Sequence, residues 1–361
     1  MREKREARGV ASAHRLLFWP KHNRSVLQIF LVTIPFFALI AAGYAAARAQ
    51  MLPLAAIPGL NAFVLFFALP CMLFRMGAGT AIGQLLDGSV VLVWGICALL
   101  VVALAAGLAR HSRIGWNDAA FGALVAAFPN TGFMGVPLLG AILGAASASP
   151  TILSVAFDMV VTSSLCIALS RLDGADGNGA AKAVRQALAG IAQNPLPWAI
   201  VLGALVSATG LQLPVPVDRT IAMLAEAASP VALFTIGAVL ARSAMLASEH
   251  RASARVAAAI GAGGAASPKP MPGGVLAMVA IKLLAHPLLV WGVGSAAIAL
   301  GLPLGRPALV ALVLVAALPS ASNVSMLAER YGADNGRVAR IILWTTVAAF
   351  FSFPLAVGLL R

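Results

Sequence analysis

Charge is scarce in this chain. Only 10% of its 361 residues are Asp, Glu, Lys or Arg, and Asp plus Glu number 12. A soluble domain of this length needs a polar exterior that such a composition cannot supply. Cysteine is nearly absent as well. Cys71, Cys97 and Cys166 all lie in apolar runs, at spacings that fit neither a zinc site nor a disulfide framework, and read as small packing residues. Enzyme signatures are missing too. The sequence has no His-Glu-x-x-His, no nucleophile elbow and no phosphate-binding loop, and its glycine-rich stretch at 261–274 is not followed by the Lys-Ser/Thr that such a loop needs. Catalysis, a cofactor and a bound metal are therefore not expected.

What the chain has is apolar sequence. Hydrophobic residues make up 61% and mean hydropathy is +0.94. Apolar runs of about 20 residues, the span of a bilayer helix, recur throughout. A transmembrane β-barrel would show short alternating segments instead. The reading is an all-α polytopic membrane protein. The net charge of +13 would suggest nucleic acid in a soluble protein. Here Lys and Arg sit in the termini and links, which fits contact with the lipid bilayer, and no nucleic-acid partner is expected. They concentrate in the first, third, fifth, seventh and ninth links, placing those on the cytoplasmic side. The seven Lys/Arg in residues 1–24 pull the other way.

Ten spans are predicted, at about 29–47, 59–76, 88–108, 118–142, 150–170, 195–212, 218–241, 275–300, 306–329 and 337–360. Residues 1–28 form a basic arm with no small-residue cleavage site after it, so the first helix is expected to be retained. The first five spans occupy 29–170, a polar link covers 171–193, and five more occupy 194–360. Within that second half a low-complexity stretch, 242–274, reads as a flexible insertion. Landmarks recur between the halves: Gly43 and Gly203 lie 160 apart, Pro53 and Pro214 161, Pro70 and Pro230 160, and, beyond the insertion, Pro129 and Pro319 190. Two halves of odd span count must enter the membrane in opposite directions. The predicted fold is thus ten transmembrane helices in two inverted five-helix repeats, with helices 4 and 9 broken.

The breaks are the candidate site. Phe128-Pro129-Asn130-Thr131-Gly132 and Leu318-Pro319-Ser320-Ala321-Ser322-Asn323 interrupt apolar spans where lipid forbids unpaired backbone. Proline frees the carbonyl four residues back, here Val125 and Val315. Asn130 and Thr131, and then Ser320, Ser322 and Asn323, could cap the restarting half-helices. Two positive helix ends meeting at the midplane would suit an anion such as a carboxylate. Alternatively, Pro129 and Pro319 merely kink packed helices.

Phe128 to Leu138, the Leu318–Asn323 stretch and the following Leu327-Ala328-Glu329-Arg330-Tyr331-Gly332 resemble the auxin efflux carrier family, which includes bacterial malonate-type permeases. The resemblance extends over most of 29–360, including Gly43-Tyr44 and Ala68-Leu69-Pro70. It implies ten helices in two inverted repeats, a scaffold domain and a mobile core domain, and proline crossovers in the fourth and ninth helices. It also implies that Asn130 and Asn323 contact the substrate carboxylate. The long hydrophilic central loop of the plant members is absent, which argues against auxin itself.

Ionisable residues inside spans are costly and point to ion coupling. Asp158 is central in span five beside Thr162, Ser163 and Ser164; Glu226 precedes Pro230 in span seven; Lys282 and His286 share a face of span eight. Lys282 could instead snorkel to an interface, and His286 could be a packing residue. Arg75 reads as an interface anchor. The expected function is secondary transport of a small organic anion, a malonate-like mono- or dicarboxylate, across a bacterial cytoplasmic membrane, with H+ or Na+ as coupling ion and a homodimer through the scaffold half. A sodium/proton antiporter resting on Asp158 and Glu226, and a non-transporting receptor, are the alternatives.

Overall fold

The computed structural model describes residues 26–81, 83, 87–172, 195–259 and 272–360. Most of the basic arm, most of the polar link and residues 260–271 of the insertion lie outside these. Among the described residues the chain is all helix, without strands. The helices are α1 (Val26–Arg48), α2 (Leu54–Ala78), α3 (Gly88–His111), α4 (Trp116–Ala127), α5 (131–143), α6 (148–169), α7 (Pro195–Thr209), α8 (Val215–Ala259), α9 (272–299), α10 (Arg306–Ala316), α11 (Asn323–Arg330) and α12 (Asn335–Leu359). Six helical stretches among the described residues are long and apolar enough to cross a membrane. Three shorter apolar helices accompany them: Thr33–Arg48, Pro195–Thr209 and Arg306–Ala316.

Local sequence sets the ends. Asp87 caps α3: its Oδ1 accepts from the backbone of Ser89 at 3.0 Å and Val90 at 3.3 Å, and Arg110 and His111 close the other end against the helix dipole. Asp334 caps α12 through the Arg337 amide at 2.9 Å. Gly144, at φ 68°, turns the chain between α5 and α6 in a conformation that costs glycine nothing. We expect Asp87→Ala to destabilise the protein by about 0.5–2 kcal/mol, read as a lower melting temperature in detergent.

The outside and inside are inverted relative to a soluble protein. Leu99, Trp198, Trp291 and Phe351 are exposed, whereas Asp158, Lys282, His286, Thr131 and Thr345 are buried. That pattern suits an integral membrane protein, whose exterior meets lipid.

Two packed groups make up the bundle. In the first, α1 crosses α8 and α2 crosses α7, with α2 also against α8. Both crossings use glycine. A Cβ on Gly43 would lie 1.8 Å from the Phe234 carbonyl oxygen, and one on Gly237 would lie 1.8 Å from that of Ile40. Likewise a Cβ on Gly203 would lie 2.2 Å from Phe74 O, and one on Gly77 would lie 2.9 Å from Ile200 O. Backbones touch where side chains are missing, the usual means of close approach in membranes. The second group holds α3, α4, α6, α9, α10 and α12, with the half-helices α5 and α11 inside the chain between them.

One expectation needs correction. The stretch 242–274 begins as helix, because α8 runs on to Ala259 for 45 residues in all. Residues 242–259 are alanine-rich and contain neither Gly nor Pro, which favours that continuation.

Candidate functional site

The two breaks are adjacent. Pro129 and Ser320 face each other as an antiparallel backbone pair. The Asn130 amide donates to the Pro319 carbonyl at 2.8 Å, and the Ala321 amide donates to the Phe128 carbonyl at 3.0 Å. Each break therefore satisfies one amide and one carbonyl of the other, inside a membrane where unpaired backbone is costly. Pro129, Asn130, Thr131, Pro319 and Ser320 are buried; Gly132, Ser322 and Asn323 are half-buried. Leu318 closes the packing. Its Cδ1 lies where a Cβ on Gly135 would come to 2.7 Å, so the break admits glycine there.

The half-helices restart without side-chain caps. Neither Asn130 ahead of α5 nor Ser322 ahead of α11 bonds its side chain to the first turn, contrary to the capping expected from sequence. The Asn130 carbonyl instead accepts from Met134 and Gly135 at 3.1 and 3.0 Å, winding the first turn as a π-helix. Val315, freed by Pro319, accepts from Leu318 at 3.2 Å in a tightened turn. The amides of Gly132, Phe133, Ser322 and Asn323 find no backbone acceptor. The buried Ser320 Oγ and Asn323 Oδ1 have no partner either, and an amide flip exchanges that oxygen for an N–H donor. The Ser320 amide donates to Thr345 Oγ1 of α12 at 3.2 Å. The result is a group of unspent donors at two positive helix ends, on one backbone bridge.

A second polar cluster lies behind the crossover. Asp158 is fully buried, and its Oδ1 accepts from Trp94 Nε1 at 3.1 Å and Thr162 Oγ1 at 2.8 Å, while Oδ2 has no partner. Ser163 donates to the Asp158 carbonyl rather than to its side chain. Lys282 is also fully buried, which replaces the snorkelling alternative with an internal role. Its Nζ donates to the Ala316 carbonyl at 2.8 Å, at the end of α10 just before the second break, and lies 3.2 Å from His286 Nδ1. The His286 ring packs against Trp94, with centroids 5.2 Å apart. Asp158 opens one π-helical turn (Asp158–Thr162) and Lys282 sits in another (Ile281–Ala285). Such turns push side chains out of helical register and occur often at functional sites.

Other candidates stand apart. Glu226 is exposed on α8, outside the buried cluster. Arg75 pairs with Asp218 at 3.4 Å across the ends of α2 and α8, both half-exposed, beside a cavity of about 460 Å³ lined by Phe74, Leu211 and Val215. Trp94 and Thr345 escape sequence reasoning. Nothing in the spacing of Trp94 marks it, whereas the Thr345-Thr346 pair is a polar step in an apolar span that could have been noticed.

A protein of Rhizobium meliloti (strain 1021) described as "Putative malonate transporter" is 29% identical over 323 residues, covering 89% of this chain and 92% of that protein. "Uncharacterized transporter YfdV" of Escherichia coli (strain K12) is 31% identical over 125 residues, 34% of this chain and 40% of its own length. The Shigella flexneri protein of the same description matches to the same extent. These relatives are transporters, not enzymes. The family model for "Membrane transport protein" matches residues 28–357, nearly all of the described helices and both breaks, and the chain therefore belongs to that family of carriers, the auxin efflux carrier type.

Proposed function

We propose that this transporter moves a small organic anion, a malonate-like mono- or dicarboxylate, across the bacterial cytoplasmic membrane by alternating access. The observation that carries the reading is the crossover. Two half-helix N-termini meet on one backbone bridge with amides and a Ser320 hydroxyl unspent. Positive helix ends and free N–H groups bind carboxylates, and discontinuous helices near the midplane hold substrate in many carriers. Pro129 and Pro319 fix the breaks; Asn130, Thr131, Gly132, Ser320, Ser322 and Asn323 line them.

The packing supports an inverted repeat of ten spans, in which α4 with α5, and α10 with α11, each make one broken span. A two-fold operation exchanges equivalent residues of the halves. With the offset of 160 residues it sends Gly43 to Gly203 and Gly77 to Gly237. The Gly43–α8 crossing, made at Gly237, then becomes the Gly203–α2 crossing, made at Gly77, and both exist. The group α1, α2, α7 and α8 is then the scaffold, also the surface for a homodimer, and the other group is the mobile core. Asp158 and Lys282, buried behind the crossover, couple movement to an ion. The name of the Rhizobium relative favours malonate as first probe.

The test is uptake of radiolabelled malonate and a panel of other carboxylates by purified protein in liposomes. We expect Asn130→Ala to reduce uptake to background while the protein stays monodisperse. Wild-type uptake by that variant would remove Asn130 from the site, and an absence of carboxylate flux in the wild type would end the reading.

A further inference from the structure

The C-terminal ends of half-helices, where carbonyls converge and the dipole is negative, are where sodium-coupled carriers hold their cation. In this chain the end of α10 is already taken. Lys282 Nζ donates to the Ala316 carbonyl at 2.8 Å from a position with no solvent exposure. With Lys282 as an ammonium, which has no lone pair, His286 Nδ1 at 3.2 Å can only accept from it, and this assigns the ring proton to Nε2. That Nε2 has no partner, and neither does Asp158 Oδ2; Trp94 touches both residues.

We propose that Lys282 is a tethered cation filling the sodium position at the end of α10, and that the coupling ion is a proton taken up and released at Asp158 Oδ2. This rests on the transport reading above and names its coupling ion. Sodium is disfavoured on two grounds. It would sit within a few ångströms of a fixed ammonium in a medium of low dielectric, where like charges repel strongly. It also needs several oxygen ligands, whereas here Asp158 Oδ1 is already engaged by Trp94 and Thr162, and the Ala316 carbonyl by Lys282. A proton needs only one free oxygen. In the exchange an O–H bond forms at Asp158 Oδ2 with a proton from water on one side, and breaks to release it to water on the other; Lys282 keeps its charge throughout. The other titratable groups facing Asp158 are Lys282 of α9 and the Cys166 thiol of α6, while His286 of α9 lies against Lys282 and the shared Trp94. The charged residues of the neighbouring helices lie at their far ends: Arg110 and His111 in α3, Asp118 in α4, Arg306 in α10.

Sodium is tested first without any substrate, by comparing the melting temperature of purified protein in sodium chloride and in choline chloride at equal ionic strength. The wild type is expected to melt alike in both. Lys282→Ala, its seat emptied, is expected to melt lower in choline and to regain stability in sodium, because a ligand that binds only the folded state raises the melting point. Should Lys282→Ala fail to fold, Lys282→Ser also empties the seat, leaves a hydroxyl oxygen beside it and serves the same comparison. Selective stabilisation of the wild type by sodium, or no gain of sodium dependence in the foldable variant, overturns the proposal. The proton is tested in liposomes with malonate: a pH gradient drives accumulation by the wild type and not by Asp158→Asn. Accumulation driven by a sodium gradient, or an Asp158→Asn variant that still follows the pH gradient, also overturns it. If the wild type carries no malonate under any gradient, it is the transport reading that falls, and the sodium–choline comparison still decides the seat.

Discussion

Gly237→Ala is expected to be the most destabilising single methyl that can be added to this protein, with Gly43→Ala as its counterpart. The new Cβ would stand 1.8 Å from the carbonyl oxygen of Ile40, or in Gly43→Ala from that of Phe234. Ordinary overpacking costs about 1–3 kcal/mol because side chains shift to make room. Here the obstacle is backbone in a facing helix, so α1 and α8 must separate along their crossing. We expect a loss of about 3 kcal/mol or more, seen as failure to recover monodisperse protein or a sharply lowered melting temperature. Gly107→Ala, with open space around its would-be Cβ, is the control and should be neutral. A Gly237→Ala protein with wild-type melting would mean that α1 and α8 do not cross there.

The largest effect on transport is expected from Asn130→Asp. The two side chains have nearly the same shape, so the bridge to Pro319, made by the backbone amide, survives. What changes is a negative charge at a site that is 4% exposed. Opposed like charges in such a place cost several kcal/mol, and about 1.4 kcal/mol is tenfold in binding. Malonate uptake should therefore fall by roughly 100-fold or more, to the background expected of Asn130→Ala. The antiporter alternative makes the opposite forecast, since an added carboxylate would strengthen a cation site. Enhanced sodium or proton flux in Asn130→Asp, with no organic substrate present, would favour it.

Much of this architecture was legible because lipid makes backbone rules strict. A proline inside an apolar span must be compensated, so Pro129 and Pro319 drew attention from composition alone. Gly43 and Gly203 were visible as repeat landmarks, but their reason was not: the carbonyls they admit belong to helices about 190 and 130 residues away in sequence. Side-chain detail was harder. Asn130 and Ser322 have the chemistry of caps, yet tertiary pairing of the two breaks fixes backbone angles that send their side chains elsewhere. Lys282 carried two readings on periodicity alone, and the choice needed the position of Ala316, 34 residues on and in a different helix. Glu226 looked equivalent to Asp158 as an intramembrane acid, but the face of α8 that bears it is not the buried one.

The pairing of Phe128 and Asn130 with Ala321 and Pro319 has a consequence for biogenesis. When the first break leaves the ribosome, its acceptor and donor have no partners, and about 190 residues of chain remain to be synthesised before they do. At typical elongation rates that is roughly 10–40 s. Neither half can finish its own insertion into hydrocarbon, since each lacks the peptide groups that the other provides. The nascent first half must therefore wait in a hydrated or chaperoned niche until the last helices arrive, and maturation of the carrier is a single late closure rather than a span-by-span assembly.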